Sequence, residues 1–484
     1  MPKPPSLSYS SYSPDADSPE QQSYRETLLG RIDRRFLATP AARITLGALL
    51  AAALIIPSVQ FIVRIRRVEP SLWRAGGERH RTALGRWIPT AELLTNPQTR
   101  DDPYGFGHWF PTPPMVLISL VPLSKLGYLG AGVAWAAMKV GGFILAMGLL
   151  IKSLGRKDFA IPLGVIIAAG LYSIRPIVSD LQHGNLNIFM LIWLALAWAL
   201  YVQHRDVWAG LFLALAIVTK LTPALVLVYF LHKRAWRVCI GAGVGLVLVF
   251  LLIPGLALGM ARNVQYLHAW FDMLVAPFAL HGYATLEVDN QSLYSVVLRL
   301  GSHVGLLNLQ DMPTEQAFNA GVDNMARPAS MLGRLLRPAL SVPIVFALGW
   351  LCRSRSRSRR DPRLLLEFSL VLIAMLLLSE RTWDHHATTL PIVFLANWYV
   401  LTCKPFSDRF RAWFVAGLVA QLVLLVGSTA GFLPERITNT LFDNGVFCWG
   451  LLLCLVQTGV LLRALNRWKL LHSGQPGPAI ANSC

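Results

Sequence analysis

The sequence predicts an all-α polytopic membrane protein, and three observations carry that prediction. Of 484 residues, 54% are hydrophobic and only 14% are charged, whereas an ordinary soluble domain carries about 25% charged residues. Mean hydropathy is +0.49. The apolar residues fall in runs of about 15–25, the length of a helix crossing a bilayer, and not in the alternating stretches of about ten that build a membrane barrel. Together these features exclude a soluble enzyme and a disordered chain. A net charge of +18, from 44 Lys and Arg against 26 Asp and Glu, would point to nucleic acid in a soluble protein. Here the basic residues sit in short loops between apolar runs, as cytoplasmic loops of membrane proteins do, so the partner is the lipid bilayer and no nucleic acid is expected.

Residues 1–43 read as a disordered cytoplasmic tail. Residues 1–24 are rich in Ser, Pro and Tyr, and no short apolar stretch follows a basic start as in a cleavable signal. The first span runs from Ile44 to Val63, behind Arg31, Arg34, Arg35 and Arg43; its length gives roughly 30 Å of helix. Further apolar runs lie at 112–128, 131–151, 159–175, 186–203, 207–219, 222–232, 236–258, 337–352, 364–379, 388–402, 411–429 and 444–463. They predict about 10–13 transmembrane or re-entrant helices in one domain, 44–470, followed by a short cytoplasmic tail, 471–484.

Basic loops around Lys152, Arg205, Lys233, Arg353–Arg363, Lys404 and Arg463 are assigned to the cytoplasm. The Arg353–Arg363 run holds six arginines and reads as a solvated orientation anchor. A first loop, 64–111, and a large loop, 259–336, then face outward with most of the polar motifs. Two irregularities follow. Segments 207–219 and 222–232 lie between two basic loops, so they enter and return, broken near Lys220-Leu-Thr-Pro223 where proline removes a backbone donor. Run 112–128 becomes a juxtamembrane or re-entrant helix on the outer side. The alternative is that 64–111, with eight arginines, is cytoplasmic and 112–128 spans.

Three polar segments stand at helix mouths: Arg175 to Asn187, Lys220-Leu-Thr-Pro223, and Ser379 to His386. Polar groups at membrane depth need partners, and an intramembrane lysine is a functional candidate by default. Ordinary roles stand beside each: snorkelling or pairing for Lys220, helix capping for Gln182 and Asn185, interfacial polarity for His385 and His386. The six cysteines form no CxxC pair, no metal-ligand spacing is legible, and no cofactor is expected. Asn290-Gln291-Ser292 is formally a glycosylation sequon and reads as structural.

Gln182-His-Gly-Asn-Leu-Asn187, then His204-Arg205, Ala209-Gly210 and Lys220-Leu-Thr-Pro223, resembles glycosyltransferase family 87. Those proteins are membrane transferases of the C superfamily that use polyprenyl-phosphate sugars. Phe110-Pro-Thr-Pro-Pro114, Asn290-Gln-Ser-Leu293 and Trp383-Asp-His-His386 look like further motifs of the family, and the likeness spans roughly 44–460. It implies a C-superfamily glycosyltransferase-like fold with outer-face juxtamembrane helices, in the plasma membrane of a bacterium with its active site outward. It further implies inverting transfer of a hexose or pentose, mannose-like favoured, from a polyprenyl-phosphate donor to a glycolipid or glycan acceptor. A first-loop carboxylate would deprotonate the acceptor, and Lys, Arg or His would stabilise the departing lipid phosphate.

The family has an Asp soon after the first span, and here no Asp occurs between 64 and 100. Glu69 stands near that place, with Asp101, Asp102 and Glu78 further on. Glu69 is the first candidate base, Asp102 and Asp101 the second, Glu78 the third; pairing with Arg66 or Arg67 is the alternative role for Glu69. The expected substrate-binding set is Arg175, Gln182, Asn185, Lys220, Asn290, Gln291, Asp384, His385 and His386. A non-catalytic carrier or flippase of lipid-linked sugars with the same fold is the competing function. A transporter would favour internal repeats and a midplane site, and no repeat is apparent.

Overall fold

The computed structural model describes residues 19–67, 82–94, 103–104, 110–155, 160–312, 325–354, 356, 358–429 and 432–472. Seven helices among them are long and apolar enough to cross a membrane: Pro40–Arg66, Gly127–Leu154, Leu163–His183, Trp236–Leu258, Met331–Leu351, Asp408–Gly427 and Val446–Trp468. Pro362–Leu377 and Leu390–Cys403 form the centre of the bundle. Every residue of the second, and every one from Leu364 onward in the first, is buried. Helices apolar on all sides belong inside other helices, so the longer spans surround this pair. The all-α polytopic architecture expected from the sequence is the one observed.

The basic loops meet at one end of the bundle. Lys233 Nζ lies 2.8 Å from the buried Glu367 carboxylate and donates to the Ser354 carbonyl at 2.6 Å. Arg360 donates to the Gly155 carbonyl at 2.7 Å, and Arg411 to that of Lys404 at 3.0 Å. Arg359 pairs with Asp206 and stands over the Tyr201 ring, 4.3 Å from its centroid. Arg359 and Arg360 are therefore docked on the bundle, where the sequence pointed to a solvated anchor; a guanidinium gains more from a carboxylate and an aromatic face than from water alone.

The hairpin breaks where expected. Asp206–Thr219 ends at Lys220, whose backbone is extended, and Ala224–His232 returns. Its rising arm packs on Trp236–Leu258 through glycines: a Cβ on Gly210 would strike the Val238 backbone, and one on Gly241 the Val207 backbone. Small residues are what allow two backbones to come this close. Run 112–128 divides into Pro114–Ser124 and the start of Gly127–Leu154. Eleven residues give about 16 Å of helix, too little to cross. The longer helix reaches the basic end at Gly155, so the short one stays at the opposite end, as the re-entrant reading requires.

The N-terminal region differs from expectation. Pro19–Glu26 and Leu28–Ile32 are helical, and the first long helix begins at Pro40. Thr27 caps the second helix by accepting from the Gly30 N–H, and Ser23 reaches the Thr402 carbonyl at 3.4 Å. Tyr24 is buried against the bundle. A short helix needs a docking surface and a cap, not a long apolar run, which is why composition gave no sign of it.

At the end opposite the basic loops, the amphipathic helix Met260–Leu274 precedes a small antiparallel sheet in the order Ala284–Thr285, Met325–Pro328, Leu309–Asp311. Exposed Leu306 belongs to this end, and exposed Arg353 lies beyond the helix Met331–Leu351 at the other. With Cys239 replaced by Ser, L306C is expected to react with an impermeant thiol reagent on intact cells and R353C only after permeabilisation. The opposite labelling would invert the orientation.

Candidate functional site

The site begins with a buried ion pair. Lys139 Nζ lies 2.7 Å from Asp180 Oδ2 and 2.6 Å from the Asp180 carbonyl, with neither side chain more than 1% exposed. Asp180 sits one turn before the end of Leu163–His183, which closes at Gly184 in the left-handed conformation (φ +66). A Cβ at Gly184 would strike the Phe61 ring of the first span, so the turn requires glycine twice over. The reversal returns Asn187 to Asp180: its Nδ2 donates to Asp180 Oδ1 at 2.9 Å, and its Oδ1 accepts from Lys220 Nζ at 3.2 Å. Each oxygen and nitrogen of the Asn187 amide is thus specified by a charged neighbour. Lys220, at the hairpin break, is held at a fixed place.

The segment 380–386 supplies a second layer. Asp384 Oδ1 accepts from Ser179 Oγ at 3.0 Å and from the His385 backbone N–H at 2.6 Å, and Arg175 pairs with Oδ2 at 3.3 Å. Burial works to raise the Asp384 carboxyl, but the His385 hydrogen bond and the Arg175 charge outweigh it and hold it down to about 2. Burial lowers the His385 imidazole against the pull of Asp384, and lowers His386 further, with Lys220 adding repulsion. Both rings are therefore neutral at pH 7 beside an ionised aspartate. His385 Nε2 lies 3.2 Å from Asn185 Nδ2, and its ring stacks on His183 at 4.8 Å.

These layers wall a cleft that is partly open to solvent. Arg86, Lys220 and Arg381 bring positive charge to it, Glu380 a carboxylate, and Asn185 and His386 neutral polar groups. Among the described residues Glu380 is the only acid in the lining. Cations around a cleft suit a phosphate, and the one acid beside them suits a proton acceptor.

Of the expected residues, Asn185, Lys220 and His386 line the cleft, while Arg175, Asp384 and His385 stand behind it. Gln182 is placed elsewhere: it is solvent-facing, with its amide donating to Gln60 of the first span at 2.7 Å. Helical spacing turns it away from Asp180 and toward that neighbour. Asn290 and Gln291 are fully buried clamps. Asn290 Oδ1 accepts from the Thr382 N–H at 2.9 Å, and Gln291 Nε2 donates to the Phe442 carbonyl at 2.7 Å. Asn290 holds the 380–386 segment and Gln291 the segment at Phe442, instead of lining the cleft, and burial of Asn290 agrees with the structural reading of the sequon. Glu69, Glu78, Asp101 and Asp102 lie outside the described residues. Arg86 and Lys139 were not singled out from the sequence, and Asp180, Glu380 and Arg381 lay within the polar segments without a role assigned to them. For Lys139, a lone charge in a long apolar run was the available sign.

Residues 110–379 match the profile of glycosyltransferase family 87. The chain is 24% identical over 416 residues to a polyprenol-phosphate-mannose-dependent alpha-(1-2)-phosphatidylinositol mannoside mannosyltransferase of Mycolicibacterium smegmatis, covering 82% of this chain and 84% of that protein. It is 25% identical over 294 residues to a polyprenol-phosphate-mannose-dependent alpha-(1-2)-phosphatidylinositol pentamannoside mannosyltransferase of Mycobacterium tuberculosis, covering 60% and 57%. No solved structure matches the chain.

Breaking a buried ion pair from one side costs about 3–5 kcal/mol, because the other charge is left uncompensated. D180N is therefore expected to lower Tm sharply, and K139M/D180N to recover most of the loss. Equal Tm for the two variants would show that the lysine charge left behind in D180N carries no cost.

Proposed function

The chain belongs to glycosyltransferase family 87 and is a multi-pass membrane glycosyltransferase, and from that premise we propose that it transfers mannose from a polyprenyl-phosphate donor to a phosphatidylinositol mannoside-like glycolipid. The reaction takes place at the outer face of a bacterial plasma membrane, in the cleft opposite the basic loops. The observation that carries this reading is the convergence of Arg86, Lys220, Arg381 and Glu380 on one cleft at the mouth of an apolar bundle. The names of both relatives support the donor and the class of acceptor, and both are mannosyltransferases and not carriers.

In this reaction the acceptor hydroxyl attacks the anomeric carbon from the face opposite the phosphate. The bond from that carbon to the phosphate oxygen breaks, and the lipid leaves as its monophosphate. Negative charge grows on that phosphate, and Lys220, Arg86 and Arg381 stabilise it. The attacking hydroxyl gives its proton to a carboxylate. Glu69 is the first candidate on the family pattern, with Asp101 and Asp102 as rivals. Glu380 is a further candidate because it lines the cleft itself.

Membranes holding the full chain and supplied with labelled polyprenyl-phosphate mannose should transfer the label to lipid. Among E69Q, E78Q, D101N, D102N and E380Q, the variant lacking the base is expected to lose about 10²–10⁴ in rate with expression unchanged. K220A is expected to lose about 10²–10³, as for an oxyanion donor. Full transfer by all five carboxamide variants would remove the carboxylate base. A wild type inert toward every polyprenyl-phosphate sugar would remove the donor assignment.

A further inference from the structure

Burying a hydrogen-bond donor without an acceptor costs about 1–3 kcal/mol, so such groups are rare and point to a missing partner. The cleft wall holds four uncharged groups of this kind. The indole nitrogens of Trp87, Trp270 and Trp383 and the hydroxyl of Thr112 are buried with no hydrogen-bond partner among the described residues, and all four residues line the cleft. Trp87 is 2% exposed, and Trp270 and Thr112 are each 7% exposed. They come from separate parts of the chain: the helix Ala83–Leu93, the Pro111–Pro113 turn, the helix Met260–Leu274 and the 380–386 segment.

Other indoles at the same end are satisfied. Trp135 donates to the Gly184 carbonyl at 2.9 Å, and Trp449 to that of Asn444 at 2.8 Å. The cleft tryptophans are also fixed by packing: Trp87 meets Phe110 edge-on at 6.0 Å, Trp270 lies 6.2 Å from Phe250, and Trp383 stacks on His386 at 5.6 Å.

A phosphate would seek the cations that also line the cleft, and a lipid tail offers no acceptor. A pyranose ring offers both halves of what this wall lacks. Its hydroxyl oxygens accept from neutral N–H and O–H donors, and its C–H faces pack on aromatic rings. We propose that Trp87, Trp270, Trp383 and Thr112 form a sugar-binding wall that receives the hydroxyls of a hexopyranose and sets sugar specificity. The proposal deepens the assignment of the cleft as a mannosyl-transfer site and rests on it. The ring can belong to the donor or to the acceptor glycolipid, since both carry the same chemistry.

W87F, W270F, W383F and T112V remove one donor each and keep the bulk of the side chain. In membranes, each is expected to raise the KM for one sugar substrate about 3–10-fold, the worth of one hydrogen bond, with little change in kcat. A rise confined to polyprenyl-phosphate mannose places the donor sugar at the wall; a rise confined to the glycolipid places the acceptor sugar there. Tm is expected to hold or rise, because each variant deletes an unsatisfied group, whereas loss of a structural contact would lower it. In parallel, equilibrium binding of radiolabelled octyl mannoside to the purified chain needs no transfer, and all four variants should weaken it. If wild type transfers mannose but the variants keep both KM values and octyl mannoside affinity, the wall is wrong and the reaction stands. If wild type transfers nothing yet binds octyl mannoside, and the variants lose that binding, the wall stands and the reaction is wrong. Absence of both transfer and binding overturns both.

Discussion

An amine and a carboxylate that have both lost contact with water can remain charged only by meeting each other and by having their remaining hydrogen-bonding capacity filled. Lys139 and Asp180 meet this requirement at the end of the span Leu163–His183, and the geometry of the cleft follows from how they do it. The second carboxylate oxygen of Asp180 needs a donor and takes the Asn187 amide; that amide has an oxygen left over, which accepts from Lys220. Three helices and the hairpin break are thereby set relative to one another through a single carboxylate. Because Asp180 and Asn187 are separated by the Gly184 reversal, the pair also determines how tightly the chain turns against Phe61.

Much of the fold was legible because membrane insertion leaves few options. Long apolar runs have to be helices, basic loops sort to one side, and the two short runs around Lys220-Leu-Thr-Pro223 had no way to cross between basic loops except by returning. The same logic set Pro114–Ser124 apart from the basic loops, at the other end of the bundle. The cleft was legible only in part. Asn185, Lys220 and His386 were found as polar groups at helix mouths, where desolvation makes an idle polar side chain expensive. Gln182 met the same criterion and turned out to face Gln60, since spacing along one helix does not tell which neighbour each face will meet. Asn290 and Gln291 satisfied it as well and serve the backbone of other segments. Glu380 lay inside the polar Ser379–His386 segment with nothing to set it apart from its neighbours, and Arg86 and Trp87 gave no comparable signal. They reach the cleft through packing between segments far apart in sequence, and that packing is not written in any local pattern.

The two ends of the bundle solve the problem of charge differently. At the cleft end, buried charges are matched within compact layers that leave Lys220, Arg381 and Glu380 facing a shared space. At the basic end, cations are matched across loops: Lys233 with Glu367, Arg359 with Asp206, Arg360 with the carbonyl of Gly155. The first arrangement keeps charge available for chemistry. The second uses charge to tie the ends of helices together, which is what a fixed scaffold under a reaction cleft requires.

The clamp of Arg359 on Asp206 also bears on how the protein is made. Asp206 opens the rising arm of the hairpin, and its partner lies 153 residues later in the chain. A ribosome adding about 5–20 residues per second would need about 8–30 seconds to supply it. Through that interval the hairpin, and Lys220 at its tip, is held only by its neighbours in the first half of the chain. Biogenesis therefore has two stages: the first half enters the membrane with the foot of its hairpin unfastened, and arrival of the second half closes it.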